Sequence, residues 1–291
     1  MAAYHVPVML SEVSGYLVNN TNGIYVDATL GGGGHSGYLL EHFADIRLIG
    51  IDCDSDAVRE AEGKLVQFKG RMMIANDNFS NIGTVLKNFG ISQVDGVLMD
   101  LGVSSKQLEN SSRGFGFSSN TLDMRMDNAL EKNASDIVNN MREDELADVI
   151  FKYGEERQSR KIASIICNFR KTRKITSSAQ LSELLQKNLS RHGKINPATK
   201  TFQAIRIFVN DELNRLDSVM SMLPEIMCHG GRAVVISYHS LEDRIVKNAF
   251  KKYALNGDFK PIEKKVVIPS RTEVMKNPRA RSAKLRVAER V

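Results

Sequence analysis

Tyr25-Val26-Asp27-Ala28-Thr29-Leu30-Gly31-Gly32-Gly33-Gly34-His35-Ser36-Gly37 is the stretch on which the fold turns. The lead-in Ile24-Tyr25-Val26 is apolar and β-branched or aromatic, which predicts a buried strand. Four consecutive glycines then permit a tight turn and a close approach of backbone to a ligand. Tyr38, Leu39, Leu40 and Phe43 recur at helical spacing directly afterwards. Strand, glycine turn and helix together are how an α/β fold presents backbone N–H groups to a nucleotide-like ligand. A second apolar run, Leu48-Ile49-Gly50-Ile51-Asp52, ends in a carboxylate 19 residues after Gly33. That offset suits a carboxylate that holds ribose hydroxyls, so an adenosine-type cofactor site is expected.

Further strands follow in the same rhythm. Arg71–Asn76 reads as a third strand, with Phe79 just beyond it, placed either to stack on an adenine or to fill the core. Gly96–Met99 reads as a fourth, with Asp100 at its end. Ligands of open parallel sheets bind outside the carboxyl ends of the strands, so Asp27, Asp52, Phe79 and Asp100 are expected to face one crevice.

The 291 residues are long enough for a full core, with 42% hydrophobic and 25% charged residues as in ordinary water-soluble domains. No apolar run approaches about 18 residues, and no secretory signal pattern opens the chain, so no membrane span and a cytoplasmic location are expected. Cys53, Cys167 and Cys228 are far apart and odd in number, which argues against a disulfide framework or a zinc site. His35, His229 and His239 have no ligand spacing, so no metal is expected. Residues 150–206 carry a net +10 and residues 242–291 a net +8, leaving −12 on the remainder of a +6 chain. Two basic blocks on an otherwise acidic protein suggest a polyanion surface, unless both are merely solvated lysine-rich faces.

Outside this frame, residues 4–18 read as an extended lead and a helix that Ser11 is placed to cap, with His5 and Pro7 near a ligand or on a surface arm. The stretch beginning near residue 107 opens with the glycine-rich, aromatic loop Arg113–Ser118. It continues through helical patterns with few strand-like runs, giving a helical insert over 107–211 between core segments 1–106 and 212–291. Val209–Met222 reads as one helix, Cys228–Gly231 as a turn, and Arg232–Ser237 as a strand. Val266–Ile268 and Leu285–Ala288 are short strand candidates.

The literal Gly32-x-Gly34-x-x-Gly37 spacing keeps a nicotinamide-dependent dehydrogenase open. Asp27 beside the glycines would repel a pyrophosphate, however, whereas S-adenosylmethionine has no phosphate and carries a cationic sulfonium. Asp100 has three readings: a cofactor ligand, a contact to a substrate amine, or a turn cap. Gln107 is placed either to add a hydrogen bond to the ligand or to be solvated in its loop, and His239 either to orient substrate or to serve as a satisfied structural histidine.

Several motifs together resemble one family. They are Asp27-x-Thr29-x-Gly31-x-Gly33-Gly34-His35-Ser36, Met99–Ser105, Leu122–Asp127, Tyr153–Arg157, Thr201–Arg206, Ser240–Arg244 and Asn277–Ser282. The chain resembles the bacterial ribosomal small-subunit methyltransferase H (MraW) family from His5 to Arg290. The resemblance implies an α/β, class I S-adenosylmethionine-dependent methyltransferase core of Rossmann-like type, interrupted by an all-helical domain that recognises substrate. It implies methylation of the N4 amine of a decoding-centre, P-site cytosine in 16S rRNA, within the 30S subunit. Carried over by motif, Gly33, Gly34, His35, Asp52, Phe79, Asp100 and Gln107 would bind the cofactor, and Asp100 is also the candidate catalytic group. A non-catalytic rRNA-binding assembly factor is the remaining alternative. One departure stands out: the Asp/Asn-Pro-Pro-Tyr/Phe segment of other amino-methyltransferases is replaced by Asp100-Leu101-Gly102-Val103, without the proline-fixed aromatic.

Overall fold

The computed structural model describes residues 7–190 and 196–291, so His5 lies outside the described residues. The chain divides into two compact units, residues 1–102 with 213–291, and residues 103–212.

The first unit is built on a seven-stranded sheet. Its strands are β1 (Ile24–Asp27), β2 (Arg47–Asp52), β3 (Met72–Asn76), β4 (Val94–Asp100), β5 (Met227–Ser237), β6 (Phe259–Pro261) and β7 (Lys284–Arg290), in the order β3-β2-β1-β4-β5-β7-β6. The first five pair in parallel, and only β7 runs against its neighbours β5 and β6. Parallel strands with helices on both faces must be apolar on both sides, which is why these runs show no polar alternation. The cores divide accordingly: Val26, Ile49, Val97, Met99 and Val235 pack on one face, and Tyr25, Leu48, Leu98, Val234 and Ile236 on the other. This is the expected Rossmann-like α/β core, and strand order reverses between β1 and β4, where such sheets open a crevice at their carboxyl edge.

Several local expectations need correction. Val266–Ile268 forms a single bridge, Val267 to Leu285, rather than a strand. Ser11 does not cap the first helix, Leu10–Leu17; Met9, in the left-handed region at φ 53°, precedes it and donates its N–H to Glu273 Oε1 at 2.6 Å. The segment Cys228–Gly231 lies within β5, as an irregular stretch opposite Val94–Gly96 with Gly230 at φ 82°. Val209–Met222 is not one helix: Thr199–Asn210 ends at Asp211, which adopts φ 51°, and Glu212–Ile226 begins anew. Asp tolerates that conformation better than most non-glycine residues, so nothing in the apolar spacing announces the break.

The second unit is helical, its core built from Phe115, Leu146, Ile150, Ile162, Ile166, Leu181, Phe202 and Ile205, among others. Two motifs quoted above turn out to hold one helix end together. Helix Glu143–Gly154 stops where Glu155 turns left-handed. Its final carbonyls are taken up by the facing helix Thr199–Asn210: Gln203 Nε2 donates to Tyr153 O at 3.0 Å and Lys200 Nζ to Glu155 O at 2.9 Å. Gly154 permits that approach, since a Cβ there would stand 2.6 Å from the backbone oxygen of Lys200. Gly154→Ala is therefore expected to cost about 2–3 kcal/mol, seen as a lower midpoint in urea unfolding. A shift below about 0.5 kcal/mol would show that the helices part easily. Asn210, buried in the same unit, accepts the Met126 N–H at 2.7 Å and donates to Met124 O at 2.7 Å, pinning the loop in which Met124 takes φ 61°.

Candidate active site

The carboxyl edge of β1, β2 and β4 carries three acids, and the glycine turn is tied to all three strands. Ala28 N–H donates to Leu98 O, Leu30 N–H to Ile51 O, and Gly31 N–H to Asp52 Oδ2 at 2.8 Å. Gly33, at φ 76°, reverses the chain into helix Gly34–His42. The glycines are demanded by the protein's own packing: a Cβ would meet Leu65 at Gly33 (2.9 Å) and Pro7 at Gly34 (2.7 Å).

The three acids differ in access. Asp27 is 1% exposed, with Oδ2 accepting the Ser36 hydroxyl at 2.7 Å and Oδ1 the Thr29 N–H at 3.3 Å. It braces the turn from inside and does not face the crevice, contrary to the expectation from its strand-end position. Asp100 keeps 22% of its side chain exposed; Oδ1 accepts the Tyr238 hydroxyl at 2.7 Å, and Oδ2 lies 3.9 Å from His35 Nδ1. Asp52 is half-buried, its two oxygens receiving the Gly31 and Asp54 N–H groups, each at 2.8 Å.

Burial pushes both Asp52 and Asp100 up to about 6. The Asp27 charge adds to the upward push on each, while His35 and the Tyr238 hydroxyl partly offset it at Asp100. Burial likewise raises Asp27, against His35 and Ser36. Both pKa values therefore lie above the unfolded value of about 3.9, so these groups favour the folded state when protonated; that contribution is lost as pH rises from about 4 to about 6. At neutral pH the site holds crowded, desolvated negative charge, a donor set that fits a cationic ligand and disfavours a pyrophosphate.

The other expected residues are placed differently. His35 is 6% exposed, its Nε2 3.0 Å from Val8 O, so its ring is held inside the turn. Phe79 opens a short 3-10 turn after β3 and packs partly buried against one core face. Gln107 belongs to the second unit, where it completes a capping box with Ser104 (3.0 and 3.2 Å) at the start of helix Ser105–Glu109. His239 caps helix Ser240–Asn256. The residue that sequence reading passed over is Tyr238. Its position directly after the apolar run Arg232–Ser237 was the available signal; its partner was not.

The sequence model of the MraW methylase family matches residues 2–291. The chain belongs to this family. It is 47% identical over 287 residues to the ribosomal RNA small subunit methyltransferase H of Endomicrobium trichonymphae, covering 99% of each chain. It is 44% identical over 290 residues to the protein of that name from Elusimicrobium minutum, covering 99% of this chain and 98% of that one. The protein is thus a methyltransferase with S-adenosylmethionine as methyl donor, and the seven-stranded unit is its class I core. The dehydrogenase and the non-catalytic assembly factor are set aside. No helix among the described residues is long and apolar enough to cross a membrane.

Proposed function

We propose that this chain methylates the exocyclic N4 amine of the P-site cytosine of 16S rRNA, acting in the cytoplasm on the assembled 30S subunit. The observation that carries the chemistry is Asp100, a partly exposed carboxylate fixed at the carboxyl end of β4 beside the sheet's switch point. The names of the relatives support rRNA of the small subunit as substrate. Gly33, Gly34 and His35 shape the cofactor's bed, Asp52 takes the ribose hydroxyls, and Phe79 completes the pocket. The helical segment 107–211 recognises the substrate, and the basic blocks 150–206 and 242–291 hold the RNA backbone, which makes binding fall with salt.

When bound, S-adenosylmethionine supplies a methyl group activated by its sulfonium. The chain's contribution is alignment. Cytosine N4 is a weak nucleophile because its lone pair is delocalised into the ring, so holding N4 in line with the methyl carbon supplies much of the acceleration. The target base must leave its stack to reach that position. Positive charge would develop on N4 as it takes the methyl group; Asp100, accepting a hydrogen bond from the amine, would stabilise that charge, and the proton would pass along that hydrogen bond to the carboxylate and on to solvent.

The decisive experiment is transfer of radiolabelled methyl to 30S subunits from cells lacking the gene, followed by nucleoside digestion. Label in N4-methylcytidine is expected; label elsewhere, or none despite cofactor binding, would overturn the target. The acids add a pH dependence. A cationic cofactor favours the ionised forms of Asp52 and Asp100, so affinity should be flat above about pH 7 and weaken as pH falls through about 6. Titration calorimetry should register proton release near pH 6, and affinity that is constant down to about pH 5 would contradict it.

A further inference from the structure

The absence of a proline-fixed aromatic after Asp100 leaves the question of what holds that carboxylate in one orientation. The neighbouring strand supplies a candidate. Asp100 pairs with Ile236, and Leu101 N–H donates to Ile236 O at 3.0 Å, so the ends of β4 and β5 lie side by side. Two residues beyond Ile236, just past the end of β5, Tyr238 is fixed at both ends. Its N–H donates to Glu242 Oε2 at 2.8 Å, in the first turn of helix Ser240–Asn256, and its hydroxyl donates to Asp100 Oδ1 at 2.7 Å. Its ring passes Gly102, which stands at φ 98° and whose missing Cβ would lie 3.4 Å from Tyr238 Cδ2.

We propose that Tyr238 is a positioning residue for methyl transfer: its hydroxyl locks the Asp100 carboxylate through Oδ1, leaving Oδ2 directed at the incoming amine. The proposal rests on the reading of Asp100 given above and extends it to a second side chain. What a contiguous segment does elsewhere is here divided between two adjacent strand ends, with Asp100 giving the acceptor and Tyr238 its restraint. An ordinary buried tyrosine needs only some acceptor, and a backbone carbonyl serves, as Met220 O does for Tyr253 at 2.6 Å. Tyr238 instead spends its hydroxyl on a carboxylate that is itself partly open to the crevice.

The arrangement has an electrostatic consequence. The groups acting on Asp100 are His35 from helix Gly34–His42, Asp27 from β1, Glu242 from helix Ser240–Asn256, and Tyr238. His35 and Tyr238 favour the carboxylate; Asp27 and Glu242 oppose it. Tyr238 is not itself an acid at working pH, since burial and then the Asp100 charge push its phenol well above its usual value. It acts as a permanent donor. Removing the hydroxyl shifts Asp100 further up, and because the carboxylate is the working form, activity is lost at a higher pH as the solution is acidified.

The test compares wild type with Tyr238→Phe in the full chain. Methyl transfer to 30S subunits is measured from about pH 5.5 to about pH 9, alongside S-adenosylmethionine affinity and thermal unfolding. For Tyr238→Phe at neutral pH, kcat is expected to fall about tenfold and the acid limb to move about one unit upward; about twofold of the loss should recover near pH 9, and the rest, from a carboxylate no longer held in place, should persist. KM for the subunit should change little. In an Asp100→Asn background, assayed at saturating S-adenosylmethionine so that Asp52 adds no limb of its own, the same substitution should add almost nothing. A uniform loss at every pH with an unmoved limb would overturn the proposal, as would an unchanged enzyme, an unfolded Tyr238→Phe, or full additivity with Asp100→Asn. If the wild type places no label in N4-methylcytidine, the function itself fails and takes the proposal with it. Label with an unmoved limb sinks the role of Tyr238 alone.

Discussion

With Asp52 holding the ribose as proposed, Asp52→Asn is expected to weaken S-adenosylmethionine binding by about a hundredfold or more, since two hydrogen bonds from hydroxyls to a charged acceptor would be lost or halved. Titration calorimetry measures it, with thermal unfolding as control. The choice of Asn over Ala follows from the structure. Both Asp52 oxygens receive backbone N–H groups, from Gly31 and Asp54. Alanine would leave both donors without their acceptor and loosen the glycine turn itself. Asparagine keeps one acceptor oxygen, and the cost to stability should stay near 1–2 kcal/mol, about one compromised buried hydrogen bond. Affinity within about threefold of wild type would make Asp52 a brace for the turn and nothing more.

That contrast shows what the sequence could reveal. The strands of the parallel core were legible because burial on both faces makes them unbroken apolar runs, and Asp52 and Asp100 were legible because each closes such a run. Asp27 has the same signature and a different fate, since the Ser36 hydroxyl nine residues on captures it within the turn. Distinguishing the three acids requires knowing which oxygen is covered, and the pattern of residue types does not carry that. Tyr238 was hidden for another reason: its partner lies 138 residues earlier, and only the β4–β5 pairing brings them together. The break at Asp211 was hidden because apolar spacing continues on either side of it.

Gly114→Ala is the second large expected effect, a loss of about 3–5 kcal/mol in the helical unit. Gly114 stands at φ 76°, and a Cβ there would fall well inside contact distance of Asp123 N and about 3.2 Å from Leu122 backbone atoms. The obstacle is backbone, pinned by Met124 N–H to Arg113 O and by Arg113 Nη2 to Arg125 O and Met126 O, so it cannot swing aside as a side chain would. Gly90→Ala is the matched control. Its φ of 71° is nearly the same, but nothing lies within 4 Å of the added carbon, so only the conformational cost of about 1 kcal/mol applies. Chemical denaturation of the two variants separates steric from conformational cost. Equal losses would mean the loop at Gly114 yields.

The pairing of Asp100 with Ile236 joins residues that adjoin in the sheet but lie 136 positions apart in the chain. In the finished protein this separation costs little, because closing so long a loop instead of a roughly ten-residue one adds only about 2 kcal/mol. During synthesis the cost is one of time. At about 5–20 residues per second, on the order of ten seconds pass between the emergence of β4 and that of β5. Throughout that interval β4, with Val97 and Met99 destined for the core, has no neighbour on one side and offers its open edge to any other unfinished chain.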